Sequence, residues 1–160
     1  MSAICHYKMS PKFSLDQTDT YSAIDQLGIF SRQFPESQFV DSSYVMLDEL
    51  RRKLEKKSFM TSKQYYRIGR YKAAVTSLEN TLVEYPDTKF REEALFVIVK
   101  SYYEWSENSV DSKKEERYIN TKKAYFKFAA AYPESYFSKE AKKVLEEAEE
   151  ELEKFLSKKA

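Results

Sequence analysis

The chain has 160 residues, enough for one domain and too few for two of full size. Only two glycines and four prolines occur, and this scarcity disfavours all-β folds and glycine-loop nucleotide sites, whose turns need such residues. Lys plus Arg number 27 and Asp plus Glu 26, so no basic field attracts nucleic acid. Charged residues at 33% and aromatic residues at 16% indicate a soluble, all-α protein whose helices pack through rings.

The sequence shows no targeting signal and no membrane-spanning segment. No apolar run approaches the roughly 20 residues of a membrane span, and no basic-then-apolar start indicates a secretion signal. Cys5 is the only cysteine, so an internal disulfide is excluded and the compartment stays undetermined.

Apolar periodicity and turn residues predict six helices in chain order, over 17–34, 38–68, 71–85, 89–106, 113–132 and 136–157. Residues 1–8 are expected to be the tail of a further helix, which favours a chain cut from a longer array. The last helix has an apolar stripe that extends to Leu156 and is crowded by glutamates on its other faces. It is expected to cap the array.

A six-residue phrase recurs three times: residues 34–39, 85–90 and 132–137 read FPESQF, YPDTKF and YPESYF. Its proline ends one helix at the preceding aromatic residue, and its Ser or Thr can cap the next helix. The two aromatic residues can staple the corner between the helices. Pro35, Pro86 and Pro133 therefore mark the corners of a helical repeat.

The tetratricopeptide pattern stands at its usual spacing before these corners. Gly69 marks the turn inside one repeat, and Ala74 and Leu78 occupy its close-packing positions. Ala23 and Leu27 repeat this pair before the first corner, whereas the third repeat is degenerate and places Tyr125 at the Leu position. We therefore predict one tetratricopeptide-like α-solenoid of antiparallel helix pairs over 1–160, with a C-terminal capping helix at about 136–157.

No catalytic, metal-binding or cofactor-binding set is found. Cys5 and His6 point apart on a helix, so they are expected to have buried or half-buried structural roles. The most basic run, 51–57, is interpreted as a solvated helix face with Leu54 inward, and a patch for an acidic partner is the alternative. We predict that the chain is not an enzyme and uses no cofactor.

The first helix of each repeat usually lines the concave face of such a solenoid. On this basis Phe59 and Val97 are expected on the concave face, and Phe59 and Glu93 stand where a peptide-carboxylate clamp needs asparagine. A mixed protein-docking face is the better interpretation. The candidate partner-binding residues on this face, together with two from the run 114–118, are Lys63, Tyr66, Arg67, Glu93, Lys100, Lys114 and Arg117.

The residues from Ser2 to Ile24, the linker 16–20 and the segments 65–90 and 92–118 resemble BamD-type lipoproteins, most closely those of Bacteroidota. These are tetratricopeptide subunits of the outer-membrane β-barrel assembly machinery. The resemblance implies an array of about five repeats, of which this chain holds the C-terminal three. It also implies a place at the periplasmic face of the outer membrane, reached through an N-terminal lipid anchor that this chain lacks.

Two functions follow as hypotheses. The resemblance implies a scaffold whose C-terminal repeats dock the periplasmic domains of the barrel-forming subunit, alongside other assembly subunits. The alternative is a periplasmic adaptor that binds peptide segments in the groove around Lys63, Tyr66 and Arg67. Charge reversal in that groove would abolish peptide binding and spare domain docking in the second case.

Overall fold

The computed structural model describes residues 2–159, and this range contains seven α-helices and no strand. The all-α, tetratricopeptide-like class is confirmed. Each predicted boundary lies within two residues of the observed one, and the predicted helix start at residue 1 lies outside the described range. The helices are α1 (Ser2–Met9), α2 (Thr18–Gln33), α3 (Val40–Arg67), α4 (Tyr71–Glu84), α5 (Arg91–Glu107), α6 (Asp111–Ala131) and α7 (Ser138–Lys159).

The chain divides into two compact units, the first ending at Ser58 and the second beginning at Phe59, within α3. In the first unit α1 packs against α2, around a small core of Ala23, Leu27 and Leu50. In the second unit α5 packs against α4, α6 and α7, and Leu95 to Val99 are all buried. The interpretation of 1–160 as one solenoid stays a prediction.

The three Pro-containing corners have the same backbone structure. In each, the N–H of the fourth residue donates to the carbonyl of the first, at 3.1, 3.1 and 3.2 Å. The Ser or Thr hydroxyl at the fourth position accepts the N–H of the sixth residue, at 3.3, 3.1 and 3.0 Å. The next helix begins one residue after the phrase, so this hydroxyl binds the backbone N–H of the residue directly before the helix. It does not bind an N–H of the first helical turn, as the predicted cap would.

The predicted aromatic staple takes a different form at two corners, where the second aromatic residue stacks on the helix before the flanking pair, and it is absent at the first. Phe90 stacks on Phe59 and Phe137 stacks on Phe96, each with ring centroids 4.6 Å apart. Phe39, at the same position of the first corner, is 60% exposed, and its corner partner Phe34 is 56% exposed. The staple prediction is therefore wrong for the first corner, since among the described residues no ring stacks on Phe39.

The predicted repeat positions are buried where the pattern is strict. Ala23, Ala74 and Leu78 are each 0% exposed, as close packing of a helix pair requires. Tyr125 in the degenerate third repeat is only half-buried. The prediction that the apolar stripe of α7 extends to Leu156 is wrong, because this side chain is 43% exposed.

Candidate functional site

Four of the seven candidate residues lie together in the second unit, where they join alternate helices. Lys63 of α3 pairs with Glu93 of α5. Lys100, two turns further along α5, pairs with Glu140 of α7 at 2.7 Å. We call these two ion pairs the cross-helix ladder. The ladder occupies both lysines with carboxylates of the chain itself, which leaves neither as a free anion-binding group.

Tyr66 belongs to the same surface through Lys100. The Lys100 ammonium lies 5.7 Å from the centroid of the Tyr66 ring and 5.2 Å from that of Phe96. Burial alone would lower the pKa of Lys100, but the hydrogen bond to Glu140 and the contact with Tyr66 outweigh it, so its pKa is raised. Burial raises the pKa of the Tyr66 phenol. Both groups therefore keep their protons at neutral pH, and the Lys100 ammonium makes cation–π contacts with the two aromatic rings.

Two residues expected on the concave face are wrongly placed by the sequence interpretation. Phe59 is 1% exposed and Val97 is 4% exposed, so neither can contact a partner. Phe59 is buried because Phe90 covers it, and Val97 is buried because α5 is packed on several sides. Arg67 is exposed and forms no ion pair with any described residue.

The last two candidates lie apart from the ladder, near the α5–α6 loop. The Arg117 guanidinium stacks on Trp105 at 4.2 Å from the ring centroid and also donates to the Ser109 hydroxyl. Arg117 thus holds the loop to the end of α5. Lys114 lines a cavity of about 440 Å³ between the start of α6 and the end of α7. The seven candidates therefore do not form one site.

Two tyrosines beside this loop have raised pKa values that the sequence did not indicate. The Tyr118 hydroxyl donates to Glu107, and burial together with that hydrogen bond raises its pKa. Burial, followed by nearby carboxylates, raises the pKa of Tyr103 to about 12. These phenols stay neutral hydrogen-bond donors over the physiological range. Only their tertiary environment distinguishes them, because the chain has 13 tyrosines.

The basic run on α3 is not simply a solvated face. Leu54 points inward, as predicted, and is 7% exposed. Lys53 donates to the Ser10 hydroxyl at 2.7 Å, Lys57 donates to the Leu15 carbonyl at 2.5 Å, and Lys56 lies over the Phe13 ring. These three lysines therefore hold the loop between α1 and α2.

His6 and Cys5 differ in their surroundings. The His6 ring contacts the Asp19 carboxylate at 3.0 Å and is half-buried, as expected. Cys5 is exposed, which contradicts the predicted buried or half-buried role. Adjacent helical residues face different sides, and only the His6 side faces α2.

A shallow groove that the sequence did not indicate lies between the α3–α4 turn and the end of α5. It has a volume of about 720 Å³. We call it the Trp105 groove. Its lining residues are Gly69, Arg70, Tyr71, Lys72, Ala73, Thr76, Trp105 and Asn108.

The described residues hold no group of three or more His, Cys, Asp or Glu side chains arranged to bind a metal. Within the same range, no helix combines the length and the apolar character that crossing a bilayer requires.

The fold and the surface together define a helical-repeat protein with polar, ion-paired helix faces. The family of outer membrane lipoproteins known as YfiO matches residues 1–118, nearly three quarters of the chain. The chain belongs to this family. Among curated proteins, none matches it significantly.

Proposed function

We propose that the chain is a BamD-type scaffold subunit of the outer-membrane β-barrel assembly machinery. The observation that carries the proposal is the family match over residues 1–118, which coincides with two of the three repeat corners. Membership in an outer membrane lipoprotein family supports a place at the periplasmic face of that membrane. The linker 16–20 and the run 114–118 support a Bacteroidota-like member.

In this proposal the chain acts by binding and not by catalysis. Its repeats dock the periplasmic domains of the barrel-forming subunit. The docking face is the surface that carries the cross-helix ladder, Tyr66 and Arg67, called the ladder surface below. Arg67, Tyr66 and the ladder pairs would contact the partner there. A half-buried tyrosine beside an exposed arginine is a combination enriched in protein interfaces.

The peptide-adaptor alternative receives less support. A groove that clamps a peptide carboxylate needs cations free to bind it, and both ladder lysines already bind carboxylates of neighbouring helices. Arg67 alone leaves one exposed cation on that face, which suits a mixed docking surface better than a clamp.

Co-purification tests the docking. The folded chain, mixed at micromolar concentration with the purified periplasmic domains of the barrel-forming subunit, should co-elute with them in size-exclusion chromatography. Arg67→Glu should weaken this complex by about tenfold, since it reverses a charge on the docking face. Isothermal titration calorimetry would measure the change.

Arg51→Glu is the matched control. Arg51 is also an exposed α3 arginine without an ion pair to a described residue, and its reversal should leave the affinity unchanged. A chain with native circular dichroism that forms no complex would refute the docking. Equal loss in the two variants would refute the ladder surface as the docking face.

A further inference from the structure

The Trp105 groove combines a large aromatic side chain with exposed cations. Arg70 and Lys72 line it and are exposed, and neither forms an ion pair with a described residue. Elsewhere in this unit several lysines are paired, including Lys63, Lys100 and Lys122. The groove is therefore a place where positive charge is left without a partner.

Two carboxylates beside the groove face tyrosine hydroxyl groups. Burial, and after it the Glu104 carboxylate, raises the pKa of Tyr71, and Glu107 accepts the hydroxyl of Tyr118. A third cation, Arg117, lies against the Trp105 ring. Of the residues that line the groove, Arg70 and Lys72 are charged and none is acidic, although the whole chain is nearly neutral at +1.

The aromatic part of the groove is held rigid. Trp105 is half-buried, with Arg117 over its ring and Tyr102 stacked beside it at 6.2 Å. The Asn108 side chain is also fixed, since its amide donates to the Glu104 carbonyl at 2.8 Å. A fixed tryptophan beside arginine and tyrosine is the composition of an interface hot spot, because little side-chain entropy is lost on binding.

We propose that the Trp105 groove is a docking surface for an acidic segment of a partner protein. Carboxylates of that segment pair with Arg70 and Lys72, and its apolar side chains cover Trp105 and Ala73. The charge complementarity selects this occupant over a basic or purely apolar one. The inference does not depend on the barrel-forming subunit as the partner, so each proposal can fail without the other.

The test uses the single tryptophan as its own reporter. A short capped peptide of alternating glutamate and leucine is titrated into the full chain, and Trp105 fluorescence is recorded. A saturable change is expected, weakening as salt is added, since exposed charge pairs are screened within about 10 Å at 0.1 M ionic strength. The same peptide with lysine in place of glutamate should produce no saturable change.

Matched variants locate the binding. Arg70→Glu combined with Lys72→Glu should reduce the affinity by about tenfold, as expected for the loss of two exposed charge pairs. Lys123→Glu combined with Lys127→Glu makes the same change in net charge on exposed residues of α6 and should leave the affinity unchanged. If the first pair perturbs folding by circular dichroism, Arg70→Ala combined with Lys72→Ala takes its place.

Three results would overturn the proposal: no saturable change with the acidic peptide, equal binding of the lysine peptide, or equal loss in both charge-reversal pairs. Phosphatidylglycerol vesicles form the last arm. If they bind the wild-type chain through Arg70 and Lys72 while the acidic peptide does not, the groove is a lipid-headgroup site and the protein-segment proposal is wrong.

Discussion

At the scale of single residues, the two glycines have opposite roles. Gly69 ends the α3–α4 turn with φ of +73°, in the left-handed region that residues with a Cβ atom rarely adopt. Gly28 lies inside α2, where its missing side chain only costs backbone entropy. The repeat pattern predicted the role of Gly69 from sequence, since the turn residue of a tetratricopeptide pair is recognisable from its neighbours.

Alanine substitution should therefore change stability in opposite directions at the two positions. Gly69→Ala should lower the free energy of unfolding by about 1 kcal/mol, because of backbone strain alone, since nothing lies within 4 Å of the added Cβ atom. Gly28→Ala should raise it by up to about 1 kcal/mol, since the new Cβ atom lies 3.6 Å from an Arg32 side-chain nitrogen, an ordinary contact. Urea unfolding followed by circular dichroism measures both, and equal signs would contradict the assignment.

At the scale of helices, the repeats share a structural feature besides the Pro-containing phrase. Hydroxyl groups join each helix pair: Ser10, which directly follows α1, contacts Thr20 at 2.5 Å, Ser62 contacts Ser77 at 2.7 Å, and Ser106 contacts the buried Thr121 at 3.5 Å. Small hydroxyl side chains let two helices approach closely and still satisfy their polar atoms. These pairs could not be read from the sequence, because serine and threonine at such positions are equally common on solvated faces.

The Pro-containing corners allow a comparison of one substitution at equivalent positions. Phe90→Ala should destabilise the chain by about 2 kcal/mol, because it removes the stacking on buried Phe59 and leaves a gap there. Phe39→Ala should cost less than about 1 kcal/mol, because that ring is 60% exposed. The two variants carry the same substitution at the same position of the phrase. The difference between their losses of unfolding free energy therefore measures what the Phe90–Phe59 stacking contributes.

Thermal unfolding of both variants, each compared with the wild-type chain, provides the measurement. Similar losses for Phe39→Ala and Phe90→Ala would contradict the structural difference between the first and second corners.

At the scale of the whole molecule, the two units differ in how much apolar surface they bury. Among the described residues, the core cluster of the first unit gathers three buried residues, Ala23, Leu27 and Leu50. The second unit gathers twelve buried residues around α5, among them Phe59 and Phe128. Because apolar burial supplies most of the stabilising free energy, local stability should be uneven along the chain.

Hydrogen exchange measured by mass spectrometry should show this difference. Backbone amides of α5 are expected to exchange most slowly, since α5 packs against three other helices. Amides of α1, which has eight residues and packs mainly against α2, should exchange faster. Equal protection of the two helices would contradict an uneven distribution of stability.

The sequence by itself determined the helices, their corners and the repeat class. These depend on local chemistry: proline ends a helix, glycine permits a left-handed turn, and apolar spacing fixes the buried face. Only the tertiary structure decided which charged surface residues form ion pairs with another helix and which do not. Lys63 and Arg67 look alike in the sequence, but a carboxylate from another helix neutralises the first, and no described carboxylate reaches the second. Such pairings depend on distances between segments that are 30 or more residues apart, and no local pattern encodes them.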